Sequence, residues 1–215
     1  MHIPDGFVAP QVYLPAYGVA AGLWSYGLRR ARVALREETI PRLAVLTAFC
    51  FVVMMVMVPL PGGTSVHATG VALLALLFGV WTAFISVSLV LLLQALLFGA
   101  GGVTALALNA LAMGLVGSAA ARYTYGLLRR IHEGFGLVAA GWLSVNASAL
   151  LLALALGVQP VIAHAEDGHP LFFPFGLSIT LPAIMIPHAL IGIGEGALPL
   201  FTWRLLDRRG WVGES

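Results

Sequence analysis

Apolar residues in this chain gather in runs too long for the core of a soluble fold. Nearly uninterrupted apolar stretches cover roughly residues 11–28, 42–60, 67–98, 103–128, 135–158 and 177–205. A helix needs about 20 such residues to cross the hydrocarbon of a bilayer. The stretch 67–98 is too long for one span and too short for two of full length. It reads as a short helix to about residue 79, then a second from about residue 81. The pattern predicts an all-α membrane protein of about seven transmembrane helices, one polytopic domain over residues 1–215.

Charge separates seven spans from six. The chain has eleven basic residues, all arginine. Arg29, Arg30, Arg32, Arg36 and Arg42 lie between the first two spans, Arg122, Arg129 and Arg130 close the fifth, and Arg204, Arg208 and Arg209 close the last. Seven spans put all of them on one side, whereas six would split them. The positive-inside rule makes that side cytoplasmic. The amino terminus is then outside and the carboxyl terminus inside, in a multi-pass protein of the cytoplasmic (inner) cell membrane. Residues 1–10, PLPGGTS (59–65), GAGG (99–102) and QPVIAHAEDGHPLFFPFG (159–176) fall outside. Every histidine except His132 and His188 is expected on or near that outer face, with Asp5, Glu166 and Asp167.

Composition agrees. Residues are 60% hydrophobic and 9% charged, with mean hydropathy +0.97, against about 25% charged in a soluble domain. The lipid bilayer is the expected surrounding. The arginines sit at span ends, so nucleic acid is not an expected partner. A single cysteine, Cys50, cannot form a disulfide within the chain. Residues 1–10 lack the basic start and apolar core of a signal peptide.

The first seven residues, MHIPDGF, carry unusual chemistry for a membrane chain. Histidine is too large for the enzyme that trims a start methionine, so Met1 should remain with its α-amine. That amine, the His2 amide if deprotonated, and His2 Nδ1 close a five-membered and a six-membered ring on one metal. Three nitrogens near one plane suit Ni(II) or Cu(II) rather than Zn(II) or Mg(II). Pro4 turns the chain away from this knot. A fourth ligand is needed. PGGTS reads as a turn and helix start with Thr64 or Ser65 as N-cap, which puts His67 in the first turn. Ten extended residues reach about 30 Å, so the tail can bring His2 to His67.

MHIPDGF, then MMVMVPLPGGTSVHATG (54–70), LLLQALLFGAGG (91–102) with Asn109 after it, and HPLFFPFG (169–176) closely resemble the CbiM/NikM family. Its members are substrate-binding S-components of energy-coupling factor transporters for nickel and cobalt. The resemblance covers nearly the whole chain. It implies a square plane of four nitrogens: the Met1 amine, the His2 amide, the His2 imidazole and His67. It also implies a membrane coupling subunit, two cytoplasmic ATPase subunits and a small accessory membrane subunit. Asn109 is the expected support behind the ligands, with Asp5 and Gln94 as further candidates. Nickel is the expected substrate, since amide ligation in a plane favours it, and no organic cofactor is implied. Cobalt, carried by the same architecture, is the alternative.

Other signals are weaker. HAEDGH (164–169) reads as a solvated loop. His188 and Glu195 lie seven apart, on one face of the last span, where ionisable groups point to transport or to buried polar packing. Asn146 is another amide inside an apolar run. Ala16 and Ala20, with Gly18 and Gly22, form small-residue patterns on the first span. GAGG lacks the Lys and Ser/Thr of a phosphate loop, so the chain is expected to be a transport subunit and not an enzyme. An intramembrane metalloenzyme would want HExxH, which does not occur.

Overall fold

The computed structural model describes residues 2–60 and 64–208; Met1, the PGG tip of the 59–65 turn and Arg209 lie outside that range. Eight α-helices follow in order among the described residues: α1 Pro10–Ala34, α2 Ile40–Met55, α3 Val71–Phe98, α4 Leu106–Asn109, α5 Ser118–Leu128, α6 Glu133–Gly157, α7 Gln159–Ile162 and α8 Leu177–Asp207. Ala110–Gly117 joins α4 to α5 as a π-helical stretch. Four segments are long and apolar enough to cross a membrane: Glu37–Met55, Val71–Phe98, Glu133–Ile162 and Leu177–Leu206. Large apolar side chains such as Val33, Leu127, Leu190 and Phe201 are exposed, as lipid-facing residues are.

Local chemistry explains several boundaries. Pro10 opens α1 at a position whose N–H would be unpaired in any case. His132 caps α6, accepting the Phe135 N–H at 3.1 Å. On α2 the buried residues are Leu46, Cys50 and Met54, a four-residue repeat that turns one stripe to the core.

The break expected near residue 79 is at Gly79, with φ +80° and ψ 165° inside α3. Contacts show how sharp it is. A straight helix would place residues 70 and 94 about 36 Å apart. Both instead meet adjacent residues of α2: Gly70 lies against the Cys50 thiol, and Gln94 donates to the Phe51 carbonyl at 3.2 Å. The arm 71–78 and the arm 80–98 therefore double back on each other.

The expectation for 59–67 needs correction. Val58–Leu60 (β1) and Thr64–Val66 (β2) form an antiparallel hairpin with Val58 opposite Val66. His67 follows that hairpin and precedes α3, so Thr64 and Ser65 cap no helix. The helix starts at Val71 because Gly70, at φ +67°, takes a left-handed conformation that a helix does not include; the Glu195 carboxylate accepts the N–H groups of Thr69 and Gly70 just ahead of it, at 2.6 and 2.8 Å.

Contacts sort the connections into two ends. At one end the amino-terminal tail meets the 99–104 turn, α7 and the 163–176 loop. At the other, Thr39, Arg42, Leu77, Phe78 and Leu206 line one cavity of about 170 Å³, Arg122 reaches the Leu76 carbonyl, and Tyr125 stacks with Trp203. The described arginines of the 29–42 and 122–130 segments and of the α8 terminus belong to this second end.

Candidate metal centre

The tail is threaded into the bundle and held at every second residue from Ile3 to Ala9. The Ile3 N–H donates to Asn109 Oδ1 at 2.9 Å, and Asn109 Nδ2 returns a bond to the Ile3 carbonyl at 3.0 Å. The same carbonyl accepts the Gly102 N–H at 2.9 Å. Asp5 accepts from the Val103 and Thr104 N–H groups and from the Thr104 hydroxyl. Partial burial pushes the Asp5 carboxyl up, but these three bonds offset it and leave it below its ordinary value. Ala9 donates to Gln159 Oε1, and Phe173 to the Phe7 carbonyl. The turn fits closely around the tail. Gly101, at φ +82°, would place a Cβ 3.1 Å from His2 Cβ.

This clamp buries His2, which is 5% exposed, beside His67, which is fully buried. Both rings lie inside the bundle, at the end where the tail meets the 99–104 turn. Their centroids are 4.6 Å apart and their planes tilt by 31°. Two imidazoles bound cis to one metal at about 2 Å would have centroids roughly 4.4 Å apart; a trans pair would be near 6.2 Å.

The nitrogens are prepared for a lone-pair acceptor. His67 Nδ1 lies 2.9 Å from the Ala68 carbonyl. A carbonyl can only accept, so Nδ1 carries the proton and Nε2 offers its lone pair. His67 Nε2 and both His2 ring nitrogens are buried with no hydrogen-bond partner among the described residues. Each such group costs about 1–3 kcal/mol unless something else satisfies it. Burial pushes both imidazoles down, His2 to about 3, and at His67 the neighbouring His2 and His188 add to the effect. Both rings are therefore neutral, the form that ligates metal.

The remaining sequence candidates divide. Asn109 and Asp5 join the site by holding the tail. Gln94 is buried, its side-chain amide bonded to α2, and its main-chain carbonyl accepts the N–H groups of Gly99 and Ala100, at the turn beside His2. Ala16 and Ala20 pack on Ala107, while Gly18 and Gly22 face outward. In the 164–169 loop, Asp167 and His169 approach to 3.9 Å at the surface. No group of three or more His, Cys, Asp or Glu side chains converges on a point among the described residues. Two parts of the site went unread in the sequence. One is Gln159, visible only as an amide before a proline. The other is the pairing of Glu195 with Thr69 and Gly70, which joins residues 125 and 126 positions apart.

Residues 2–211 match the family model CbiM, described as the cobalt uptake substrate-specific transmembrane region. A probable fused nickel transport protein LarMN of Lactiplantibacillus plantarum is 39% identical over 97% of this chain and 65% of its own length. A fused nickel transport protein NikMN of Rhodobacter capsulatus is 39% identical over 89% of this chain and 57% of its own. The chain thus spans less than two thirds of these fused relatives. A cobalt transport protein CbiM of Thermosipho melanesiensis is 30% identical over 89% of this chain and 81% of its own. A crystal structure of a truncated transition metal transporter superposes with a TM-score of 0.93 at 35% identity, covering 97% of this chain and 99% of that one.

Proposed function

The chain belongs to the CbiM family of nickel and cobalt transport membrane proteins, and from that membership and the facing imidazoles we propose that it is the metal-binding subunit of an uptake transporter. Its substrate is a divalent transition metal, Ni(II) in preference to Co(II). The ligands are the Met1 amine, the His2 amide, His2 Nδ1 and His67 Nε2. The 4.6 Å spacing of the two rings carries this reading. In a plane where the amine and His2 Nδ1 flank the amide, His67 falls opposite the amide and therefore cis to the His2 ring. The neutral rings and their unpartnered nitrogens fit the same arrangement. Amide ligation is the basis for preferring nickel, the stronger binder in the divalent series.

The one-sided arginines support a reading in which the second end of the bundle is cytoplasmic and the tail lies on the outer side, with seven crossings once the two arms of α3 count separately. The energy for uptake comes from a membrane coupling subunit and a pair of ATPases, with a small accessory membrane subunit. The fused architecture of the LarMN and NikMN relatives supports a joined membrane partner.

The test is a Ni(II) titration of protein with its native amino terminus and of protein with one alanine added before Met1. The native form should bind one nickel tightly with the absorbance of a planar complex, and the extended form should lose both. Equal binding by the two forms would remove the amine from the ligand set.

A further inference from the structure

His188 is the one other imidazole within the bundle's core, and nothing in the resting plane uses it. It is 1% exposed. Its Nδ1 lies 2.7 Å from the Ile184 carbonyl of the preceding turn, which fixes the proton there and leaves the lone pair on Nε2. That Nε2 is buried with no hydrogen-bond partner among the described residues. His188 and His2 line the same small cavity, of about 10 Å³, with Ser65 and the aliphatic side chains of Leu152, Leu156 and Ile184. Such a space holds about one water-sized body. A packed core histidine would use both nitrogens or face apolar walls alone. This one presents a donor to a cavity whose other ring nitrogens are those of a proposed ligand.

The three rings do not converge on one point, so His188 does not complete the resting site. We propose that His188 Nε2 is a transit ligand, which binds the metal in passing as it enters and leaves the planar site formed by the tail and His67. The step is ligand exchange: the His188 Nε2 lone pair forms a bond to the metal as one tail nitrogen lets go, with no change of oxidation state. The proposal rests on the metal-binding reading above. The fold gives His188 room for this movement. Pro187, directly before it, and Pro182 interrupt the hydrogen bonds of α8, so this part of the helix shifts more easily than an unbroken one.

A station on the path lowers a barrier, so its loss slows entry and exit together and leaves the equilibrium alone. A resting ligand instead changes the equilibrium. The test compares protein with the native amino terminus against His188→Gln and His188→Phe. Bound Ni(II) is measured by titration and planar absorbance, and its transfer to excess chelator by stopped flow. Both variants should keep the planar band and the affinity, while uptake and transfer rates fall together by about tenfold, the effect of some 1.4 kcal/mol on a barrier. Unchanged rates in both variants would overturn the proposal. So would loss of the planar band in His188→Gln, which would make His188 part of the resting site. His188→Gln keeps the test decisive if the bulkier phenylalanine fails to fold. A wild-type protein that shows no planar nickel band would sink the metal-binding reading itself, a result distinct from either variant outcome.

Discussion

Asn109 decides whether His2 arrives at His67, though it touches neither ring in a ligand's role. It donates to and accepts from the main chain of Ile3, one residue from His2. Asn109→Ala leaves the Ile3 N–H buried and unpaired, at about 1–3 kcal/mol. Loss of such support lowers metal affinity by roughly 10–100-fold. Asn109→Asp keeps the acceptor for Ile3 and should lose less; calorimetric nickel titration would rank the three forms. Acid should loosen the same tail. His2 ionises at about 3 in the fold, below its ordinary 6.5. An unfolded chain then takes up the proton first, so the stability is complete above pH 6.5 and drains away as pH falls toward 3. The slope from this residue is at most about 1.4 kcal/mol per pH unit. Thermal melts of metal-free protein between pH 7.5 and 5 should show it, and His2→Asn should flatten it.

At the scale of elements, the helices were legible and the site's supports were not. Run lengths alone mark α2, α6 and α8, and the awkward length of 67–98 exposes the break at Gly79. His188 and Glu195 stood out from their spacing as ionisable residues on one face of the last span; each finds a separate partner, His188 at Ile184 and Glu195 at Thr69 and Gly70. The hairpin was hidden because PGGTS fits a turn before a helix as well as a turn between strands. What excludes the helix is the pairing of Thr64–Val66 with Val58–Leu60 and the left-handed Gly70; the Glu195 carboxylate that holds Gly70 lies 125 residues away, and no local pattern announces such a bond. The clamp it makes gives a separable prediction at Gly70, whose φ is +67° and where a Cβ would lie 2.7 Å from Cys50 Sγ. Gly70→Ala should destabilise by the left-handed backbone, about 1–2 kcal/mol, plus the clash with sulfur. Adding Cys50→Ala should restore the second part only. At Gly79 a Cβ meets nothing within 4 Å, so Gly79→Ala should show the backbone cost alone, about 1–3 kcal/mol. Melting temperatures of the four forms would separate sterics from backbone.

The whole molecule is two ends with different tasks, joined by apolar helices. One end is a lock of turns around the tail; the other carries the described arginines beside Tyr125 and Trp203. Under the positive-inside rule that asymmetry predicts an orientation with the arginine end cytoplasmic. The predicted orientation needs an odd number of crossings, with the arms of α3 running in opposite directions through Gly79. Thiol labelling reads both points at once. Cys50 is fully buried, and replacing it with alanine removes any background. In that form, a cysteine in place of Glu166 should react with a membrane-impermeant reagent added to intact cells. A cysteine in place of Glu38, in the turn between α1 and α2, should react only after the membrane is opened. Labelling of both from outside would mean that the chain returns to the same side, and α3 would then be one crossing with the tail's lock facing the wrong compartment for uptake. Reversed labelling would keep the fold and turn the metal site toward the cytoplasm, which an uptake protein cannot use.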